Sequence, residues 1–174
     1  MQRRTASAIA FVVLIVIAMS RVSAFSGMPP RPIPPQARAA TSAGAVEACK
    51  LFKKEDAAAA LGGTVSGPKE TGPLTTAPGT TVTTCEYAGP GSLSITLYVT
   101  HLSGAQLSTD RAACAKDARE GLAGLGDVAC WYDEKHEELH VFKGLILISI
   151  ELSGKNNPTD AIKAAAKKVV DRMK

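Results

Sequence analysis

Net charge is the first thing this chain lacks. Lys and Arg number 20 against 16 Asp and Glu, and three of the basic residues (Arg3, Arg4 and Arg21) fall in the first 24 positions. The excess beyond them is +1, too little for the electrostatic footprint that holds nucleic acid or an anionic membrane. A long apolar run is missing too. The longest, residues 8–19, ends before Arg21, short of the ~20 apolar residues that a membrane span needs. No Cys-x-x-Cys occurs, which disfavours a redox dithiol or a compact zinc knuckle. No Gly-x-Ser-x-Gly elbow offers a nucleophile, and no internal repeat is visible. The apolar fraction of 45% excludes a wholly disordered chain.

What is present begins with a targeting segment. Arg3 and Arg4 lead into the apolar run, and Val22-Ser23-Ala24 supplies a small-x-small site before Phe25, so residues 1–24 are expected to be a signal peptide. Thr5-Ala6-Ser7 continues a twin-arginine signal poorly, which favours the general secretory route. No cysteine lies near the cleavage site to take a lipid. The chain is expected to be exported, periplasmic or secreted, with no stable membrane span after cleavage. Cys49, Cys85, Cys114 and Cys130 are an even set for an oxidising compartment. Four cysteines allow three pairings, and sequence alone does not choose among them. The pairing expected here is Cys49–Cys85 with Cys114–Cys130, the second closing a short loop.

Residues 25–44 hold Pro29, Pro30, Pro32, Pro34 and Pro35 and are expected to form a disordered, extended tether. Residues 45–174 then make a single domain, large enough to bury roughly two-thirds of its unfolded surface. A helix is expected over 46–61, stopped by Gly62-Gly63. Residues 66–80, rich in Gly, Pro and Thr, are expected to be a loop with at most a short strand. Strands are expected at 81–87, 93–100, 128–132, 139–142 and 145–152 from β-rich composition and alternation. Ser103-x-x-Gln106 offers a capping box for a helix to about 119. Asn157-Pro158-Thr159-Asp160 opens a terminal helix, with Asn at the cap and Pro at the first position. The expected fold is α+β: an antiparallel sheet of about five strands, helices packed on one face, stapled by disulfides.

Two motifs invite a chemical reading. His136-Glu137-Glu138-Leu139-His140 matches the His-Glu-x-x-His of zinc metalloproteases, in which two histidines hold the metal and the Glu activates water. That chemistry needs a helix, where positions i and i+4 lie about 6 Å apart; on a strand they are separated by roughly 13 Å. The flanking residues favour a turn and a strand, and Lys143 stands where the longer metalloprotease pattern has Gly. Gly124-Leu125-Gly126-Asp127-Val128-Ala129 matches the dinucleotide fingerprint, but it follows a helix and opens a strand, the reverse of the required order. A tight helix-to-strand turn accounts for it better. His101 is expected to be a strand-end residue rather than a base, and Asp133, Glu134, Glu137 and Glu138, interrupted by Lys135, a solvated turn.

Several positions together resemble a known group. They are Ala48-Cys49-x-Leu51, Leu61-Gly62-Gly63, Cys85-x-Tyr87, Gly124-Leu125-Gly126-Asp127-x-Ala129-x-Trp131 and Leu139-x-Val141-x-Lys143-Gly144, followed by a strand and an Ala-rich terminal helix. This layout resembles small exported bacterial α+β domains of unknown function, found as actinobacterial-type lipoproteins, and is similar to extracellular sensor domains of some bacterial Ser/Thr kinases. The resemblance covers about 45–174. It implies an α+β domain stapled by Cys49–Cys85 and supplies no catalytic residues. The chain departs from the lipoproteins in lacking a lipid-attachment cysteine and in carrying Cys114 and Cys130. The leading expectation is a monomeric, non-catalytic domain that binds an unidentified ligand or protein of the cell envelope, with no cofactor, metal or nucleic acid. A zinc hydrolase using His136, Glu137 and His140 is one alternative, and a passive structural surface protein another.

Overall fold

The computed structural model describes residues 45–116 and 122–173; the expected signal peptide and tether lie outside them. Six strands, β1 (Ser66–Ala77), β2 (Thr80–Ala88), β3 (Ser94–His101), β4 (Val128–Trp131), β5 (Glu138–Lys143) and β6 (Ile146–Ser153), form one antiparallel sheet in the order β1-β2-β3-β6-β5-β4. The helices are α1 (Ala48–Leu51), α2 (Lys54–Leu61), α3 (Gly104–Lys116) and α4 (Thr159–Arg172). The α+β class is as expected, but the strand count is six rather than five. The additional strand is β1, whose twelve residues were expected to be mostly loop. Every residue of β1 is exposed, and its pairing with β2 shifts register between Ser66 and Lys69 and between Thr71 and Leu74. Pro68 and Pro73 fall in those two irregular steps. A residue without an N–H is tolerated at a sheet edge and not in its middle, so the prolines that suggest a loop are compatible with an edge strand.

Alternation divides the sheet into two faces. Ile95, Leu97 and Val99 of β3 stand opposite Leu152, Ile150 and Ile148 of β6, and Leu139 and Val141 of β5 oppose Ile150 and Ile148 from the other side. All eight are at most 3% exposed. Against this first face pack Ala48 and Leu51 of α1, Ala57, Ala60 and Leu61 of α2, and Ile162, Ala165, Ala166 and Val169 of α4. Alanines recur on both longer helices, so α2 and α4 come close to each other as well as to the sheet.

The helix expected over 46–61 is two helices. Phe52 is extended (φ −109°, ψ 112°) and fully buried, its ring 5.6 Å from that of Tyr87, whose hydroxyl donates to the Phe52 carbonyl. The break places this bulky ring in the core, and the chain restarts as α2 with the Asp56 carboxylate accepting the Lys53 N–H. Gly62, at φ 79°, ends α2 in the left-handed conformation expected of it. α4 begins at Thr159 with Pro158 as its cap, one residue later than expected, leaving Asn157 outside at φ 51°.

A single helix-bearing face does not hold. Leu107 and Cys114 of α3 pack with Cys130 and Phe142 on the second face, because Cys130 alternates with the inward Ala129 and Trp131. The disulfides join Cys49 to Cys85 and Cys114 to Cys130. The first fastens α1 to β2 on the first face, and the second fastens α3 to β4 on the second.

Candidate functional site

α3 covers only the β4 end of the second face. Between it and the sheet lies a cleft of about 380 Å³ lined by Asp110, Ala113, the Cys114–Cys130 bridge, Trp131, Tyr132, His140, Phe142 and Leu147. Its position follows from the register. Cys130 pairs with His140, and His140 with Ser149, so the bridge and the imidazole share a row of the face that α3 leaves partly uncovered. Tyr132, just beyond β4, is 69% exposed and stacks on the His140 ring, with centroids 4.7 Å apart. His140 Nε2 lies 2.8 Å from Glu138 Oε1. On α3, Asp110 Oδ1 accepts from Gln106 Nε2 at 2.8 Å.

Beyond the cleft the second face is polar. Glu138 stands directly opposite Glu151, and Glu151 opposite Thr96, which in turn pairs with Glu86. The neighbouring row runs His140, Ser149, Tyr98, Thr84. Burial, and then the Glu151 and Glu138 charges, push the Tyr98 hydroxyl above its ordinary pKa.

The His-Glu-x-x-His residues do not converge as a zinc site requires. The motif spans the β4–β5 turn and the start of β5 rather than a helix, with His136 in the turn at φ 59°. His136 stacks on Trp131 at 4.8 Å and His140 on Tyr132, so each imidazole belongs to a different ring. Glu137 contributes its backbone, donating to Asp133 Oδ1 and accepting from the Leu152 N–H. Among the described residues, no group of three or more His, Cys, Asp or Glu is placed to hold a metal ion. Asp133 organises the acidic turn: its two oxygens accept the N–H groups of Lys135, Glu137 and Glu138. Burial opposes ionisation of this carboxyl, but the backbone donors outweigh it and hold the pKa below its ordinary value.

Gly124 and Gly126 adopt positive φ in the turn before β4, and Asp127 accepts from the Gly144 N–H and from Arg111. The segment opens β4 and is tied through Asp127 to α3 and to the β5–β6 turn, and it leads into a strand rather than a helix N-terminus that could meet a phosphate. His101 ends β3 and lines a second cavity of about 420 Å³ with Val46, Leu51, Lys143, Leu145 and Arg172. The cations there are already engaged: Lys143 Nζ donates to the Val170 carbonyl, and Arg172 to the Leu51 carbonyl and Asp56. The cleft under α3 instead presents the exposed Tyr132 ring and the Asp110 carboxylate. Sequence reasoning missed Asp110 and Tyr132; the signal was the adjacent Trp131-Tyr132 pair in a chain with 5% aromatics.

No family model matches the chain, and neither a curated protein nor a solved structure is significantly similar to it.

Proposed function

We propose that the domain is a non-catalytic binding module of an exported protein and that it takes an envelope ligand or protein segment in the cleft between α3 and β4–β5. The observation that carries this reading is the cleft itself: about 380 Å³, within the ~300–1,000 Å³ range of ligand sites, with apolar walls and a few polar groups. The floor is built to be rigid, since the Cys114–Cys130 bridge ties the helix wall to the sheet. Two disulfides suit an oxidising compartment. The resemblance to exported lipoprotein and kinase sensor domains supports the same role, as does the signal-like segment at 1–24. Secretion with an N-terminus at Phe25, read by N-terminal sequencing, tests the export half.

Backbone amide shifts tested against a panel of amino acids, short peptides and oligosaccharides test the binding half. Perturbations should cluster on residues 110–114, 130–132 and 140–142. Clustering on the other face, or the absence of any saturable response, would overturn the assignment of the site.

A further inference from the structure

Resting on that reading of the cleft, we infer the class of its occupant: a basic peptide segment that places an arginine or lysine head group between Tyr132 and Asp110. Three independent features point to a cation. First, the rim is aromatic. Tyr132 offers a ring that is 69% exposed, and a guanidinium or ammonium group is attracted to such a face. Second, the formal charge on the lining is negative. Among the described lining residues Asp110 supplies a carboxylate and neither Lys nor Arg is present, and Gln106 donates to one of the carboxylate oxygens.

Third, the sheet beside the cleft carries charge that its own side chains do not balance. Glu138 and Glu151 are direct cross-strand partners, an arrangement that is unfavourable for like charges. Glu138 has His140 beside it, whereas among the described residues Glu151 Oε1 and Oε2 meet the hydroxyls of Ser153 at 3.3 Å and Tyr98 at 3.5 Å and no cation. The one lysine in this row, Lys69, is paired with Glu86 at 3.6 Å. A cationic segment lying from the cleft toward Glu138 and Glu151 would supply the missing counter-charge. A neutral sugar could stack on Tyr132 but would leave the carboxylates unbalanced, and an anionic partner would be repelled.

The test reads the backbone amide shifts of residues 110–114, 130–132 and 140–142, because the Trp131 ring packs in the core on the other face of the sheet. The mature protein is titrated with hexaarginine, with hexaglutamate and maltohexaose as comparisons. Hexaarginine should shift these amides saturably, with affinity falling as salt rises. Asp110→Asn and Tyr132→Leu, both at solvent-accessible positions, should each weaken binding on the order of tenfold. Glu47→Gln, on the far side of the domain, should leave it unchanged. Circular dichroism confirms that each variant is folded.

Saturable binding of maltohexaose with no response to hexaarginine would overturn the cation assignment while leaving the cleft as the site. Hexaarginine binding insensitive to Asp110→Asn and Tyr132→Leu would overturn it as well, by placing the peptide elsewhere. No amide shift with any probe would remove both the class and the cleft.

Discussion

Asp56 is where a single substitution should most clearly separate electrostatics from packing. Its carboxylate is 4% exposed and meets Arg172 through both oxygens, Lys168 Nζ at 3.2 Å and the Lys53 N–H at 3.2 Å. One side chain thus starts α2 and ties it to α4. Replacing it with Ala leaves Lys168 without its carboxylate, Arg172 with the Leu51 carbonyl alone, and the N–H of the α2 N-cap residue Lys53 without an acceptor. Removing one member of a buried pair costs about 3–5 kcal/mol. Here Arg172 and Lys168 are 34% and 47% exposed, so water takes over part of their solvation. The expected loss is about 2–3 kcal/mol, of which about 1 belongs to the lost cap.

Urea unfolding with the disulfides intact measures this directly. With an m-value of about 1.5 kcal/mol/M, the midpoint should fall by roughly 1.5–2 M. The acid limb gives an independent check. Burial opposes ionisation of Asp56, yet Arg172, the Lys53 N–H and Lys168 together lower its pKa below the ordinary 3.8. A depressed carboxyl contributes stability above its unfolded pKa and loses that contribution as pH falls through the folded value. The difference between parent and Asp56→Ala should therefore be constant from neutral pH down to about 4 and shrink below it. Asp127 and Asp133 are depressed as well, but both proteins keep them, so they cancel. A midpoint shift under ~0.3 M, equivalent to about 0.5 kcal/mol, or pH profiles that stay parallel below 4, would refute the reasoning.

Three further outcomes are expected. Cys49→Ala/Cys85→Ala should cost about 4 kcal/mol and Cys114→Ala/Cys130→Ala about 3 in urea unfolding, since the bridges span sequence separations of 36 and 16 and loop-closure entropy grows slowly with length; a larger loss from the shorter loop would contradict this. Gly126→Ala should destabilise by about 2–4 kcal/mol, because its Cβ would lie 2.5 Å from the Phe142 carbonyl oxygen, whereas Gly124→Ala, with nothing within 4 Å, should cost only about 1 for its positive φ; equal losses in thermal melts would show that the turn relaxes. Tyr87→Phe should cost about 1–2 kcal/mol by leaving the buried Phe52 carbonyl without its donor, and a variant as stable as the parent would mean another donor replaces it.

The parts of the fold legible in the sequence are those whose periodicity and surroundings agree. Ile95, Leu97 and Val99 alternate with polar residues and form a half-covered strand; Ile162, Ala165, Ala166 and Val169 recur at helical spacing and face the core. The Gly-rich turn before β4 and the strand placement of His140 were likewise readable, because the flanking residues are β-rich. Reading failed where local preference and tertiary position disagree. Pro68 and Pro73 argue for a loop, and only knowledge that β1 lies at the edge of the sheet among the described residues reverses that argument. Phe52 belongs to an apolar run at helical spacing, but burial against Tyr87 outweighs the continuity of the helix.

The cleft was the least legible feature, and the reason is topological. Its walls come from α3 near 110–114, from β4 and its end at 130–132, and from β5 near 140–142, with Leu147 of β6 behind them. No periodicity relates those segments. They meet because β6 crosses back to pair with β3 and leaves β5 and β4 to extend the sheet outward, where β4 forms an edge and α3 finds uncovered face. Cys114 and Cys130 were the long-range link the sequence offered between those segments. Taken with alternation, that link carries information: Cys130 and Trp131 are adjacent in a strand and must point to opposite faces. A core that takes Trp131 on the first face therefore requires the helix bonded to Cys130 on the second. The same parity puts His140 beside Cys130 and leaves Leu139 in the core, so the face bearing the aromatic and acidic groups is the one that a single helix only partly covers.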